Sequence, residues 1–179
     1  MTRSAVVVLA MALFLPALCA AEEDADKDGY AHPGLYVGVG GVYVFEDFAK
    51  DLEDVGVRRD NGGGVDVRAG YRFHPAVAAE PAFNWLTPDV DAESIWTVTA
   101  NGKLYSTALT GRIQPYGILG VGVITSGRTN VIGRFGLGLE TYITRHFLLS
   151  FEAAFMKPGG SFDNDFDYIP LTLAGQYRF

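Results

Sequence analysis

The chain has 179 residues, 49% of them hydrophobic and 13% aromatic, with 21 Asp and Glu against 14 Lys and Arg. That length holds one sizeable core and excludes a second. A net charge of −7 without any basic patch excludes nucleic acid as a partner, and beyond residue 20 no apolar run reaches the roughly 20 residues a membrane helix needs.

Arg3 opens the chain with a positive charge, an apolar stretch follows over residues 5–18, and Cys19, Ala20 and Ala21 are small. This order predicts a cleaved secretory signal peptide at residues 1–21. Leu18 is bulkier than a lipidation signal wants before Cys19, the only cysteine, so the fold is expected to use neither a lipid anchor nor a disulfide. Residues 22–33 read as an acidic periplasmic leader. Within it Asp24, Asp26, Asp28 and Gly29 match the first half of a calcium loop. The position that should supply the closing bidentate carboxylate is Leu35, so a solvated leader is the preferred reading and a calcium site the alternative.

From residue 34 to residue 179 the dominant signal is alternation with period two. A first strand over 35–45 sets Leu35, Val37, Val39, Tyr43 and Phe45 on one face. A second, over 65–73, sets Val65, Val67, Ala69, Tyr71 and Phe73 against Asp66, Arg68, Gly70 and Arg72. The third, 77–85, opposes Val77, Ala79, Phe83 and Trp85 to Ala78, Glu80, Ala82 and Asn84, and the fourth, 95–105, opposes Trp96, Val98, Ala100 and Leu104 to Thr97, Thr99, Asn101 and Lys103. A fifth over 116–124 is apolar on both faces, which leaves its orientation open. The sixth (134–143) carries Arg134 and Glu140 on its polar face, the seventh (147–155) Ser150 and Glu152, and the eighth (169–179) Gln176 and Arg178. Pro81, Pro115 and Pro170 fall inside these runs and predict bulges or early strand ends.

Connections after the second, fourth and sixth strands are short or modest. Those after the first, third and seventh are polar and longer, with six acids and three bases over residues 46–60. A short loop is expected at 126–130. This asymmetry is that of an outer-membrane barrel with short periplasmic turns and longer external loops. Aromatics sort accordingly, Tyr71, Phe73, Phe147, Tyr177 and Phe179 to one rim and Tyr43, Phe45, Phe83, Trp85, Trp96 and Phe155 to the other. Two such girdles are expected where amphipathic rings sit at both headgroup levels. The fold class is therefore all-β, an eight-stranded antiparallel up-and-down transmembrane β-barrel. A soluble lipocalin-like barrel would turn the same apolar face inward and is the alternative.

The motifs Gly-Leu-Tyr-Val-Gly-Val-Gly-Gly at 34–41, Ala-Gly-Tyr-Arg-Phe at 69–73, Gln-Pro-Tyr-Gly-Ile-Leu-Gly-Val-Gly at 114–122 and the terminal Gln-Tyr-Arg-Phe at 176–179 resemble the small outer-membrane β-barrel domains of the OmpA, OmpX and Opa porin-like kind. The resemblance implies a place in the outer membrane of a Gram-negative envelope, contact with its lipid and lipopolysaccharide, and delivery by the barrel assembly machinery, with Tyr177 and Phe179 as the assembly signal. It says little about activity, since the family includes adhesins, anchors, narrow channels and lipid-modifying enzymes.

Among candidate sites, His146, Ser150 and Glu152 share one face by parity and invite a hydrolase reading. Four residues along a strand is about 13 Å, too far for a serine to reach its histidine, so no catalytic, cofactor or metal residues are assigned. His32 and His74 have no evident partners. With the charges inside, Arg68, Glu80, Lys103, Glu140 and Glu152 fall at comparable heights, joined in the lumen by Arg134, Asp66, Arg72 and Arg178. A lumen of eight strands is just wide enough for side chains to fill, so these groups are expected to pair as a salt-bridged interior. The function expected is a non-enzymatic barrel serving envelope integrity or surface interaction through acidic external loops. A narrow OmpW-like channel for small or hydrophobic solutes is the alternative.

Overall fold

The structure is a computed structural model that describes residues 30–45, 62–88, 94–109, 111–126, 128–159 and 169–179. The signal peptide (1–21), most of the acidic leader with Asp24, Asp26 and Asp28, and the connecting segments 46–61, 89–93 and 160–168 lie outside the described residues.

Eight strands follow in chain order: β1 (Gly34–Phe45), β2 (Gly62–His74), β3 (Val77–Pro88), β4 (Ile95–Tyr105), β5 (Ile113–Ser126), β6 (Arg128–Tyr142), β7 (Phe147–Gly159) and β8 (Ile169–Arg178). Each pairs antiparallel with its sequence neighbour, and β1 also pairs with β8 from Tyr36–Arg178 to Phe45–Ile169, so the sheet closes into a barrel. Closure leaves no edge of unpaired backbone, the condition for strands to stand in a bilayer.

Parity decides the two faces. Val39, Val67, Val98, Leu119, Val121, Phe151 and Leu173 are exposed on the outer wall, whereas Asp66, Arg68, Glu80, Lys103, Gln114, Arg134, Glu140 and Glu152 are buried within. A soluble barrel would show the opposite arrangement, so the lipocalin-like alternative is excluded. On the outer wall Tyr71 packs on Phe73 at 5.0 Å and Tyr177 on Phe179 at 5.1 Å near the short turns, while Trp85 lies opposite Trp96 near the other end. Phe83 pairs with Val67 and Val98 and so falls within the aliphatic band.

The short turns are held by side chains. Arg72 donates through Nε (3.1 Å) and Nη2 to the carbonyl of Pro75, closing the β2–β3 turn where the ladder shifts register between Arg72 and His74. Thr144 Oγ1 accepts from the amides of Phe147 (2.9 Å) and His146 (3.3 Å), which closes the β6–β7 turn.

Three expectations change. Of the expected loop at 126–130 the described residues are ladder: Ser126 pairs with Arg128, Thr125 with Thr129 and Ile124 with Asn130. Thr129 is β-branched and its hydroxyl meets that of Thr125 at 2.9 Å, which favours pairing over a polar loop. The fifth strand is thereby longer than 116–124, and its orientation is settled by Tyr116, Ile118 and Ile124 pointing inward. Pro81 produces no bulge, because the β2–β3 ladder passes from Arg68–Ala82 to Tyr71–Ala79 without changing register. Pro115 and Pro170 do not end their strands either: the β4–β5 ladder stops at Tyr116 and the β7–β8 ladder at Leu171, but on the other side Pro115 stays paired with Leu139 and Pro170 with Val44.

Leu119 stands mid-strand on the outer wall with 68% of its surface exposed. Leu119→Arg is expected to lower the unfolding free energy in lipid vesicles by about 2–4 kcal/mol, the cost of a cation near the bilayer midplane. Denaturant titration of the refolded protein measures it, and a neutral substitution would place this face in water.

The charged lumen as candidate functional site

The inner wall is layered along the barrel axis. Towards the long connections Val42, Val44, Leu86, Ile124, Ile132 and Met156 form a buried apolar cluster. Towards the short turns Tyr36, Ala78, Tyr105, Tyr116 and Ile118 form a second. Between them lies a continuous ion-pair network.

Arg68 is shared by three carboxylates: Asp66 Oδ1 at 2.6 Å from Nε, with Glu152 Oε2 at 3.3 Å and Glu80 Oε1 at 3.5 Å from Nη1. Lys103 Nζ lies 2.6 Å from Glu80 Oε2 and 3.4 Å from Glu140 Oε1. Arg134 Nη2 pairs with Glu152 Oε1, and its Nη1 donates to Thr99 Oγ1 at 3.2 Å. Seven charged side chains from β2, β3, β4, β6 and β7 are thus joined edge to edge. Inside a lumen this narrow each charge has lost its water, and only such mutual pairing offsets the several kcal/mol that desolvation costs per ion.

Each glutamate of the network also accepts a hydrogen bond from a phenol. Tyr36 donates to Glu80 at 3.0 Å, Tyr105 to Glu140 at 2.8 Å and Tyr116 to Glu152 at 2.9 Å. The Lys103 ammonium stands 4.6 Å from the Tyr116 ring centre and 5.4 Å from that of Tyr36. Sequence reading gave these three tyrosines no role; parity opposite to Leu35 and Val37 put Tyr36, and parity with Lys103 put Tyr105, on the inner face, whereas Tyr116 lies on the strand whose orientation the sequence leaves open. Glycine makes room for two of them: a Cβ at Gly70 would collide with the Tyr36 ring, and one at Gly138 with the Tyr116 ring. Those glycines are needed for close approach, not for backbone conformation.

Arg72 and Arg178, predicted to share the interior, do so at its short-turn end and engage neutral groups. Arg72 donates to Gln114 Oε1 at 2.6 Å, with its guanidinium 3.8 Å from the Tyr105 ring centre. Arg178 donates to the Tyr142 hydroxyl and, at 3.1 Å, to the carbonyl of Tyr30. Tyr30 in turn packs on Tyr142 and accepts from Arg112, which ties the chain entering β1 across this mouth.

The His146, Ser150 and Glu152 trio does not assemble. His146 is exposed outside β7, stacked on Tyr177 at 5.8 Å with Nδ1 2.9 Å from the Arg178 carbonyl oxygen. Ser150 Oγ accepts from Gln176 at 2.8 Å, and Glu152 is committed to the network. His32 and His74 do have partners, both on backbone: His32 Nδ1 lies 3.1 Å from the Pro33 carbonyl, and His74 Nδ1 accepts from the Ala76 amide at 3.2 Å. Tyr177 and Phe179, the expected assembly signal, are exposed on the outer wall at the short-turn end.

A closed eight-strand barrel with an apolar outer wall and a paired charged interior defines an integral β-barrel protein of the outer membrane. The chain belongs to the outer membrane protein β-barrel domain family, whose profile matches residues 7–179. Its fold is similar to that of neisserial surface protein A (TM-score 0.65, 13% identity, covering 82% of this chain and 97% of that one). It is also similar to the N-terminal β-barrel domain of OprF from Pseudomonas aeruginosa (0.55, 11%, 83% and 100%) and to Ail, the attachment invasion locus protein of Yersinia pestis (0.53, 18%, 82% and 97%). No curated relative matches the sequence.

Glu152 bonds two arginines and a phenol, whereas Glu140 has one lysine and one phenol. Glu152→Gln is therefore expected to destabilise the barrel by about 3–5 kcal/mol, leaving buried cations uncompensated, and Glu140→Gln by less. In equilibrium unfolding, Glu152→Gln combined with Arg134→Met is expected to cost less than the sum of the single changes.

Proposed function

We propose that the protein is a non-enzymatic, sealed outer-membrane barrel that serves envelope integrity or surface interaction through its acidic external connections. The observation that carries this reading is the filled lumen: the ion-pair network occupies the waist and the apolar cluster of Val42, Val44, Leu86, Ile124, Ile132 and Met156 caps it on the side of the long connections. A solute would have to break buried ion pairs and then cross an apolar layer, and neither offers it a favourable site. The hydrolase trio stays apart, and the interior glutamates are engaged in ion pairs and phenol hydrogen bonds.

Interaction then falls to the connections opposite the termini. Residues 46–60 carry six acids against three bases, a charge suited to divalent cations that bridge carboxylates to lipopolysaccharide phosphates. One fold relative bears the name of an attachment protein, which is in keeping with this use of a closed barrel as a mount for surface segments.

Planar-bilayer recording of the refolded protein tests the reading. No steady single-channel steps are expected from the wild type, nor from Ile132→Ala with Met156→Ala, because the ion-pair layer remains in place. A stable open pore in the wild type would replace this proposal with the narrow-channel one. Replacing residues 47–60 by a short neutral connector is expected to leave the unfolding midpoint unchanged and to remove magnesium-dependent retention on lipopolysaccharide vesicles.

A further inference from the structure

Between the ion-pair network and the apolar cap, Asp66 on β2, Asn84 on β3 and Thr97 on β4 lie side by side on the inner wall. Asp66 pairs in register with Asn84, and Asn84 with Thr97. Adjacent strands bring such side chains within about 5 Å of each other. All three are buried, with 0%, 3% and 1% of their surfaces exposed. Asp66 Oδ2, Asn84 Oδ1 and Thr97 Oγ1 accept no hydrogen bond from any donor among the described residues. The cross-strand neighbours at the two ends of the row offer none: Gly40, across from Asp66 on β1, has no side chain, and Ile124, across from Thr97 on β5, is apolar, while Arg68, two residues along β2, holds the other oxygen of Asp66 through Nε.

Three buried oxygens side by side, one of them a hydroxyl that can also donate, are costly to leave alone. A water molecule could bridge them but would leave the carboxylate charge uncompensated, whereas a hard cation is attracted to all three oxygens and supplies charge as well. Charge points the same way. The connected network holds four carboxylates, Asp66, Glu80, Glu140 and Glu152, against three cations, Arg68, Lys103 and Arg134. Arg72 and Arg178 do not redress the deficit locally, because they engage neutral oxygens at the short-turn end. One positive charge is missing, and the unpaired oxygen of Asp66 marks where it is missing. A divalent ion would overshoot, and no group of three His, Cys, Asp or Glu side chains suited to one occurs among the described residues. We infer that Asp66, Asn84 and Thr97 form a lumenal binding site for a monovalent alkali cation, sodium or potassium, which completes the charge of the ion-pair network beneath the apolar cap.

Thermal unfolding in non-ionic detergent, followed as loss of the compact band on unboiled gels, tests the site. Sodium, potassium and choline chlorides are compared at equal ionic strength, so that screening is the same in all three. The wild type is expected to unfold several degrees higher in sodium or potassium than in choline, with a saturable dependence on the alkali ion. Thr97→Val keeps the shape and the whole ion-pair network. It is expected to raise the alkali concentration for half the effect by about tenfold, the loss of one oxygen ligand. Asp66→Asn should abolish the difference between salts. If Asp66→Asn does not fold, broadening of the sodium-23 resonance by the wild type and its reduction in Thr97→Val give a second reading. Equal midpoints in all three salts, an effect confined to calcium or magnesium, or an alkali effect unchanged in Thr97→Val would each overturn the assignment.

Discussion

Everything in this molecule follows from turning an apolar face towards lipid while the strand period of two sends every second side chain inside. An outer wall of Val39, Val67, Leu119, Val121 and Leu173 obliges Asp66, Arg68, Glu80, Lys103, Arg134, Glu140 and Glu152 to share a lumen only eight strands wide. Such a space excludes bulk water, so each charge must find its counter-charge among the other inward side chains. The network is thus the means by which a membrane barrel of this size tolerates its own inner face. Pairing of buried ions roughly offsets their desolvation and is a weak source of net stability. The lipid-facing band and the closed backbone ladder hold the fold, and the network forbids other registers.

Register is where the small residues enter. A one-residue slip of β6 against β5 would exchange Arg134 and Glu140 with Phe135 and Leu139 and strand charge in hydrocarbon. The glycines on the inner wall sharpen the same constraint. Gly70 and Gly138 leave room for the rings of Tyr36 and Tyr116, and those rings carry phenols to Glu80 and Glu152. An alanine at either position would push a ring away from its carboxylate, so the phenol bonds of Glu80 and Glu152 depend on the absence of a methyl group on the adjacent strand.

The layered lumen also separates tasks along the axis. Its short-turn end is closed by Arg72, Gln114, Arg178, Tyr142 and Tyr30, its waist by ion pairs, and its far end by Val42, Leu86, Ile132 and Met156. Three chemically different layers thus follow one another along the barrel axis. The resulting molecule resembles its fold relatives in architecture at 11–18% identity, which is what a fold specified by alternation rather than by particular residues permits.

How much of this was legible without coordinates depends on the range of the interaction concerned. Strand number, order, the inner and outer faces of β2, β3, β4, β6, β7 and β8, and the inward set Arg68, Glu80, Lys103, Arg134, Glu140 and Glu152 were all determined by the sequence alone, because side-chain parity is a local property of an extended chain. Pairs between strands distant in sequence were not. That Glu152 of β7 meets Arg68 of β2 across the lumen, 84 residues away in the chain, that Tyr105 reaches Glu140, and that Asp66, Asn84 and Thr97 form one row depend on barrel closure and stagger, to which alternation is blind. The hairpin of β5 and β6 was misread for the opposite reason: Thr125, Thr129 and Asn130 suit a loop or a strand equally, and only the partner strand decides between them. Local chemistry settled which way each side chain points, and the closed tertiary structure decided which side chains meet.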